Sequence, residues 1–370
     1  MRVQTAIDDS KFVQAISQNR QTENDLDYLV ARLHGRRSRM AEAERLDNLC
    51  RIRNLHEFFR TIFPESDIKE VVGFQRQLID QMVDEFSRFC SHLSGPGTDL
   101  LDWMLVRFQV ENLKVLIRAC LTKAPLEEFK EYLISLPVKF TVNIQELTKA
   151  ESPADFVHLV PIRLLQEDLE KALEIYNKYP RSFFFEAALD CGYLKGLIEK
   201  TVHLSGEDCA FVRPMVFQEA DIFNIMLVAR GKFYYGLAPD ILRQFYVPGT
   251  QISRTQFHSM LDEADLSSSM GRIPHCVFDT DLPQFSREGG SIDVDASVLE
   301  GLAWNRFYRL ANLAFRQSHM GLAAIVGYTG LRRVELANLI RISEGIRMDI
   351  PAETIRAHMI PRIGLEVKHV

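Results

Sequence analysis

The chain has 370 residues, of which 46% are hydrophobic and 25% are charged, as is ordinary for a globular protein with a large core. Its formal net charge of −6 argues against a general nucleic-acid binder. The 19 glycines and 14 prolines are few for this length, so long helices are expected.

The sequence also disfavours membrane-spanning and secreted classes. The longest apolar run, residues 321–331, is too short to cross a bilayer. The N-terminal residues contain no apolar stretch of the signal-peptide type. The six cysteines include no CxxC pair, which is typical of reduced thiols. We therefore expect a cytoplasmic protein.

The first third of the chain opens with a basic amphipathic helix. Arg32, Arg36 and Arg39 share one face of it, at spacings of four and three residues. That face is either a solvated basic surface or a docking surface for an acidic partner. Further amphipathic helices follow, and the last of them, which contains Asn112, is predicted to end near Lys123.

The second third begins at Pro125. Residues 138–144 alternate between apolar and polar, but a lone strand would have no partner, so an extended connector is predicted. Ser152 and Asp155, with Pro153 between them, are typical of a helix start. The helix around Asn224 is predicted to run from about residue 221 to 235 and to stop at Gly236.

The last third begins at Pro239. Residues 267–297 are predicted to form one long irregular segment, which is usually either functional or disordered. Two helices, at residues 299–317 and 319–327, are predicted to lead into a helix that contains Asn338.

The helices around Asn112, Asn224 and Asn338 align without a gap, at spacings of about 112 residues. Matching positions are similar: three residues earlier stand Gln109, Asp221 and Glu335; six later, Arg118, Arg230 and Glu344; seven later, the small Ala119, Gly231 and Gly345. The sequence therefore predicts three helical repeats, at residues 1–124, 125–238 and 239–370.

No catalytic, metal or cofactor site is predicted. His56 and Glu57 begin like a zinc-protease helix, but Arg60 stands where the second histidine ligand is needed. The repeated asparagines carry the stronger signal. They are predicted to be buried polar pins, with Asp221 and Glu335 beside them, that fix how each helix packs. Direct contact with a partner is the alternative.

Several stretches resemble the family of V-type ATPase subunits C and d, which is also called the AC39 family. They are YLVARLHGRRSRM; VENLKVLIRACL and ADIFNIMLVARGKFYYGLAPDIL; FFEAALDCGYLKGLIEK, through Glu186, Leu189, Asp190 and Tyr193; and RRVELANLIRISEGIRMDIP, through Glu335, Asn338, Leu339 and Ile342. The resemblance runs from about residue 28 to the C-terminus. Residues 267–297 have no counterpart, and Met226 stands where the family often has lysine.

The resemblance implies an all-α fold of three similar helical units around a pseudo-threefold axis, forming a hollow funnel. It implies a non-catalytic socket that couples central shaft subunits of the D and F type to the membrane proteolipid ring, at the cytoplasmic face. Arg118, Arg230 and Lys232 are then predicted to line a largely polar cavity. Arg32 and Arg36 are further partner-binding candidates.

Two alternatives remain beside this interpretation. One is a generic all-helical adaptor, although a period near 112 residues exceeds that of the common solenoid repeats. The other is a helical lipid or isoprenoid enzyme, against which the missing paired-carboxylate motif counts.

Overall fold

The computed structural model describes residues 28–91, 93, 95–278, 296–318 and 321–361. Every regular element in these residues is helical, without a single strand, which confirms the predicted all-α class. Within the same residues, no helix is both long enough and apolar enough to cross a membrane.

Six long helices form the body of the molecule: α4 (Val71–Cys90), α5 (Pro96–Thr122), α10 (Phe183–Val202), α11 (Gly206–Met226), α15 (Ala296–Gln317) and α16 (Leu322–Arg347). Shorter helices surround them: α1 (residues 28–37), α2 (Ala43–Arg51), α3 (Leu55–Ile62), α6 (Leu126–Phe129), α7 (Ile144–Leu147), α8 (Pro153–Leu159), α9 (Arg163–Tyr176), α12 (Pro239–Leu242), α13 (Arg254–Asp262), α14 (Leu266–Met270) and α17 (Ala352–Ala357).

The three helices that carry the repeated asparagines, α5, α11 and α16, all end near a left-handed residue. These residues are Lys123 with φ 54°, Gly236 with φ 63° and Asp349 with φ 53°. The left-handed conformation turns the chain sharply and stops a helix. α11 reaches its end through a π-helix, Leu227–Tyr234, which continues it directly.

The short helices α12 and α17 pack on a glycine of the preceding long helix. A Cβ atom on Gly231 would lie 2.8 Å from Leu242, and one on Gly345 would lie 2.6 Å from Ile355. The missing side chains therefore allow each following helix to fold back closely on the helix that carries the asparagine.

The six long helices contact one another in a closed circle. α4 packs on α5, α5 on α10, α10 on α11, α11 on α15, α15 on α16, and α16 again on α4. One apolar core runs through them. A second apolar cluster joins α2 and α3 to α16 and α17, so early and late parts of the chain pack together.

Four boundary predictions are corrected. The helix around Asn224 begins at Gly206, well before the predicted start near residue 221. The segment 267–297 is not irregular throughout: it overlaps α14, contains a 3₁₀ helix at His275–Val277 and overlaps the start of α15, while residues 279–295 lie outside the described part. The predicted connector at 138–144 contains the 3₁₀ helix Val138–Phe140 and leads into α7. No separate helix ends near residue 327, because α16 is continuous from Leu322 to Arg347.

Candidate partner-binding site

The three repeated asparagines make the same contact. Each donates a hydrogen bond to the carbonyl oxygen of one residue and accepts one from the N–H of that same residue. The two distances are 2.9 and 2.7 Å for Asn112 with Ile134, 3.0 and 3.0 Å for Asn224 with Val247, and 2.6 and 3.1 Å for Asn338 with Ile360. Each asparagine therefore holds the chain segment that follows its own helix.

The residue three positions before each asparagine also binds backbone. Gln109 donates to the carbonyl of Phe140. Asp221 accepts 3.1 Å hydrogen bonds from the N–H groups of Gln251 and Ile252. Glu335 accepts a 2.5 Å hydrogen bond from the N–H of Ala41. Asp221 thus pairs with backbone groups and not with the side chain of Asn224.

A buried ion cluster joins the three asparagine helices. Arg107 of α5 and Arg333 of α16 both bind the carboxylate of Glu219 in α11, and the two contacts of Arg333 are 2.7 and 2.9 Å long. The side chain of Glu219 is only 6% exposed. All three residues stand five positions before their asparagine, so matching positions of the three asparagine helices meet at one point.

The cluster carries an excess of positive charge, because two guanidinium groups share one carboxylate. Burial lowers the pKa of Arg107, and the neighbouring Arg333 lowers it further. Burial likewise lowers the pKa of Arg333. Aromatic rings compensate in part: Arg107 lies over Tyr193 at 5.1 Å, and Arg333 lies over Phe307 at 5.4 Å.

The meeting of these residues shows which sides of the three helices face one another. Residues four, seven and eleven positions further along a helix lie on the same side. We call the resulting sets the facing surfaces: Arg107, Glu111, Lys114 and Arg118 on α5; Glu219, Phe223, Met226 and Arg230 on α11 and its continuation; Arg333, Ala337, Ile340 and Glu344 on α16.

The facing surface of α5 is charged and paired with α10. The Nζ atom of Lys114 lies 2.7 Å from Asp190 and 3.0 Å from Glu111. Burial alone would lower the pKa of Lys114, but these two carboxylates raise it. The facing surface of α5 is therefore charged at all four levels, whereas α11 and α16 carry apolar residues at the two middle levels.

At the far end of the facing surfaces, each asparagine helix contacts another of the six long helices. Arg118 binds Glu186 of α10 through two hydrogen bonds of 2.8 Å. Arg230 binds Glu300 of α15 at 2.6 Å. The matching contact of Glu344, to Gln75 of α4, is 2.8 Å long and closes the circle.

Arg118 and Arg230 remain about half exposed beside these ion pairs, with 53% and 48% of their side chains accessible. Lys232, the third predicted wall residue, instead donates to the carbonyls of Leu261 and Glu263. It therefore fastens the end of the π-helix to α13 and the residue that follows it.

The basic face of α1 divides in the structure. Arg32 is exposed and lies over the ring of Tyr28 at 5.5 Å. Arg36 turns inward to the buried Glu85, which also accepts hydrogen bonds from Tyr328 at 2.9 Å and Arg332 at 3.1 Å. Arg36 is thus engaged with a buried carboxylate, whereas Arg32 lies at the surface.

Ion pairs are frequent among the side-chain contacts of the described residues. In this part of the chain, no group of three or more His, Cys, Asp or Glu side chains is placed to hold a metal ion. Burial raises the pKa of Cys90 and Cys191 to about 12, so both thiols stay protonated near neutral pH.

Arg107, Glu219 and Arg333 are not among the residues predicted from sequence. The sequence did contain a signal for them. They occupy the same position relative to the three repeated asparagines, and their charges in chain order are positive, negative and positive. Their partnership could be recognised only once three helices, more than a hundred residues apart, were known to meet.

Known proteins of one family resemble this chain in sequence. A sequence model of the family described as ATP synthase (C/AC39) subunit matches residues 29–358. The chain is 21% identical to the A-type ATP synthase C subunit of Methanosphaera stadtmanae, over 90% of this chain and 87% of that protein. It is 24% identical to the C subunit of the A-type ATP synthase of Methanothermobacter thermautotrophicus, over 86% of this chain and 83% of that protein. The chain therefore belongs to the ATP synthase (C/AC39) subunit family, as its sequence motifs predict.

Proposed function

We propose that this chain is the non-catalytic subunit through which the central shaft of an A- or V-type rotary ATPase is coupled to the membrane ring. Three similar units, at residues 1–124, 125–238 and 239–370, would surround a pseudo-threefold axis as a hollow funnel. Shaft subunits of the D and F type enter its wide end, and the proteolipid ring lies beyond the other. The protein then works at the cytoplasmic face, held there by its partners.

The observation that carries this proposal is the cluster of Arg107, Glu219 and Arg333. When the same position of three repeats meets at one point, the repeats are arranged about an axis that passes near that point. A linear stack of repeats would bring only neighbouring repeats into contact. The closed circle of helix contacts supports the same arrangement.

The exposure of the facing surfaces supports a funnel that widens from the cluster. Glu219 is 6% exposed at one end, whereas Arg118 is 53% exposed at the other. These two levels are eleven helical positions apart, which corresponds to about 16 Å along the axis. A space that is closed at one level and open at the other suits the blunt end of a shaft.

The charges of the facing surfaces favour a mechanical role. Arg118 is paired with Glu186, and Arg230 is paired with Glu300. These are the contacts between neighbouring units, so they resist the separation of units when torque is applied. The relatives of this chain are C subunits of A-type ATP synthases, which supports a place for it in a rotary complex of this kind.

Reconstitution tests the proposal. Vesicles that contain the rotary complex without this chain are expected to hydrolyse ATP in the soluble part but to move no ions. Addition of the purified chain should restore ion movement without a large change in hydrolysis. Full ion pumping in the absence of the chain would contradict the proposal.

A further inference from the structure

A polar pocket away from the facing surfaces gathers four arginines. It lies between α1, α4 and α16, beside the end of α3, and has a volume of about 500 Å³. Its charged lining residues are Arg36, Arg39, Arg88 and Arg332, together with Asp84 and Glu85. The other lining residues are uncharged. Arg36 and Arg39 come from the basic face that the sequence predicts. We call this site the arginine pocket.

The buried Glu85 fixes two of these arginines. It accepts hydrogen bonds from Arg36, from the Nε atom of Arg332 at 3.1 Å and from the hydroxyl of Tyr328 at 2.9 Å. Arg332 also binds Glu335. Two guanidinium groups and two carboxylates therefore balance within this network. Arg36 and Arg332 nevertheless remain 30% and 20% exposed, on the side of the pocket.

The other two arginines have no such partner. Arg39, in the turn after α1, donates a 3.4 Å hydrogen bond to the carbonyl of Gly35. Arg88 is exposed in the last turn of α4. No carboxylate of the described residues lies within ion-pair distance of either guanidinium. Asp84, the remaining acid of the lining, is exposed and likewise makes no ion pair within this part of the chain.

Two unpaired guanidinium groups at one recess favour a phosphate group as the ligand. Guanidinium forms paired hydrogen bonds with the oxygens of phosphates and carboxylates. A phosphate monoester carries about −1.5 to −2 charges near neutral pH and has three acceptor oxygens, so two guanidinium groups can bind it at once. A carboxylate carries a single charge, which one guanidinium satisfies. The volume of the pocket is that of a site for a small ligand.

We propose that the arginine pocket binds a phosphate group, with Arg39 and Arg88 as its direct partners. Arg36 and Arg332, held in place by Glu85, add to the positive potential around it. This inference does not depend on the proposed function. The phosphate belongs either to a soluble phosphate compound or to the head group of a lipid, and its chemistry is the same in both.

Calorimetric titration of the full chain with inorganic phosphate, at neutral pH and low salt, tests the proposal. Arg39→Gln and Arg88→Gln are each expected to weaken binding by at least about tenfold, because each removes one charged hydrogen-bond donor. Both residues are exposed, so the variants should fold as the wild type does, which their thermal midpoints check. Arg88→Lys should retain part of the affinity, since it keeps the charge but loses the paired donors.

A substitution of the opposite kind makes the test sharper. Asp84→Asn removes the one unpaired carboxylate of the lining and is expected to strengthen phosphate binding. The matched control for the arginine variants is Arg163→Gln in α9, which removes the same charge from a side chain that is 90% exposed and lies outside the pocket. It should leave phosphate binding unchanged.

Two further probes identify the source and the charge of the ligand. Vesicles of phosphatidylcholine with phosphatidic acid, compared with vesicles of phosphatidylcholine alone, show whether a lipid head group is accepted. Acetate is expected to bind at least about tenfold more weakly than inorganic phosphate, because it carries a single charge.

The outcomes decide as follows. Phosphate binding that the two arginine variants weaken supports the proposal with a soluble ligand. Binding to phosphatidic acid vesicles alone, weakened by the same variants, supports it with a lipid head group. The proposal is overturned if the wild type binds neither probe, if the arginine variants bind as tightly as the wild type, or if acetate binds as tightly as phosphate.

Discussion

The side-chain amide of asparagine presents a donor and an acceptor much as a peptide group does. Asn224 uses both on Val247, a fully buried residue in a segment outside any regular element. Buried backbone groups need partners. The asparagine supplies them where a helix or a sheet would otherwise do so. The same solution recurs at Asn112 and Asn338, which explains why the residue repeats.

Replacement of Asn224 by leucine is expected to lower the free energy of unfolding by at least about 2 kcal/mol, because both backbone groups of Val247 lose their partner. Chemical denaturation measures the change. Asn177→Leu, at an exposed position, is the control and should shift stability by less than about 0.5 kcal/mol. Equal stability of the two variants would show that Asn224 is not needed to hold the segment.

Asp221 makes stability depend on pH. Burial raises its pKa from 3.8 to about 6, against the opposing effect of the hydrogen bonds that it accepts. Between these values the folded protein binds a proton that the unfolded chain releases. The contribution of this residue to stability is therefore fully present below about pH 4 and is lost as the pH rises through about 6.

The expected size of this effect is on the order of 3 kcal/mol. It is measured as the difference in the free energy of unfolding between the wild type and Asp221→Asn, from pH 4 to pH 7. The advantage of the wild type should shrink as the pH rises. Asp240→Asn provides the baseline for an exposed aspartate. A difference that stays constant across this range would refute the assignment.

At the scale of elements, close helix packing depends on single glycines. Gly327 lies in α16 where that helix crosses α15. A Cβ atom there would lie 2.6 Å from the backbone nitrogen of Phe315 and 2.7 Å from the carbonyl oxygen of Ala311. Backbone atoms cannot turn away as a side chain can, so any larger residue must push the two helices apart.

Gly327→Ala is accordingly expected to cost about 1 to 3 kcal/mol and to lower the thermal midpoint. The control is Gly35→Ala in α1, where nothing lies within 4 Å of the added carbon. That control should be neutral, or stabilising by up to about 1 kcal/mol, because alanine favours helix. A Gly327→Ala protein as stable as the wild type would show that α15 and α16 can separate freely.

Helix ends could be predicted from sequence where the signal is local. Ser152 and Asp155 form a capping box at the predicted helix start, and Gly236, where the helix is predicted to stop, adopts a left-handed conformation. The π-helix at Leu227–Tyr234 could not be predicted, since its sequence is that of an ordinary helix and packing decides its winding. The sequence predicts a helix end at Gly327, but α16 runs through this residue. Gly327 lies at the close contact with α15 and does not stop the helix.

At the scale of the whole molecule, Glu219 holds three distant helices together. Glu219→Gln would leave the guanidinium groups of Arg107 and Arg333 next to each other without the carboxylate that they share. Removal of one member of a buried ion pair typically costs about 3 to 5 kcal/mol. We expect a loss of that order in urea denaturation. The control, Glu174→Gln on the exposed side of α9, should change little. A loss below about 0.5 kcal/mol would show that the cluster is dispensable.

The global arrangement explains which site residues sequence could not assign. The repeat alignment made Arg118 and Arg230 noticeable, but their partners lie 68 and 70 residues further along the chain. Those partners belong to other long helices, α10 and α15. A period in the sequence shows that units are alike, whereas the contacts between units depend on how the circle closes. That information resides in no single stretch.

The second apolar cluster has a consequence for synthesis. Phe58 and Phe59 are buried in a cluster that also contains Leu339, Ile342 and Met359. At about 5 to 20 residues per second, a ribosome reaches Ile342 roughly 15 to 60 seconds after Phe59. During that interval the early helices have no α16 to cover them. We expect the nascent chain to depend on chaperones until its last helices emerge, and a chain that terminates early to expose this surface to degradation.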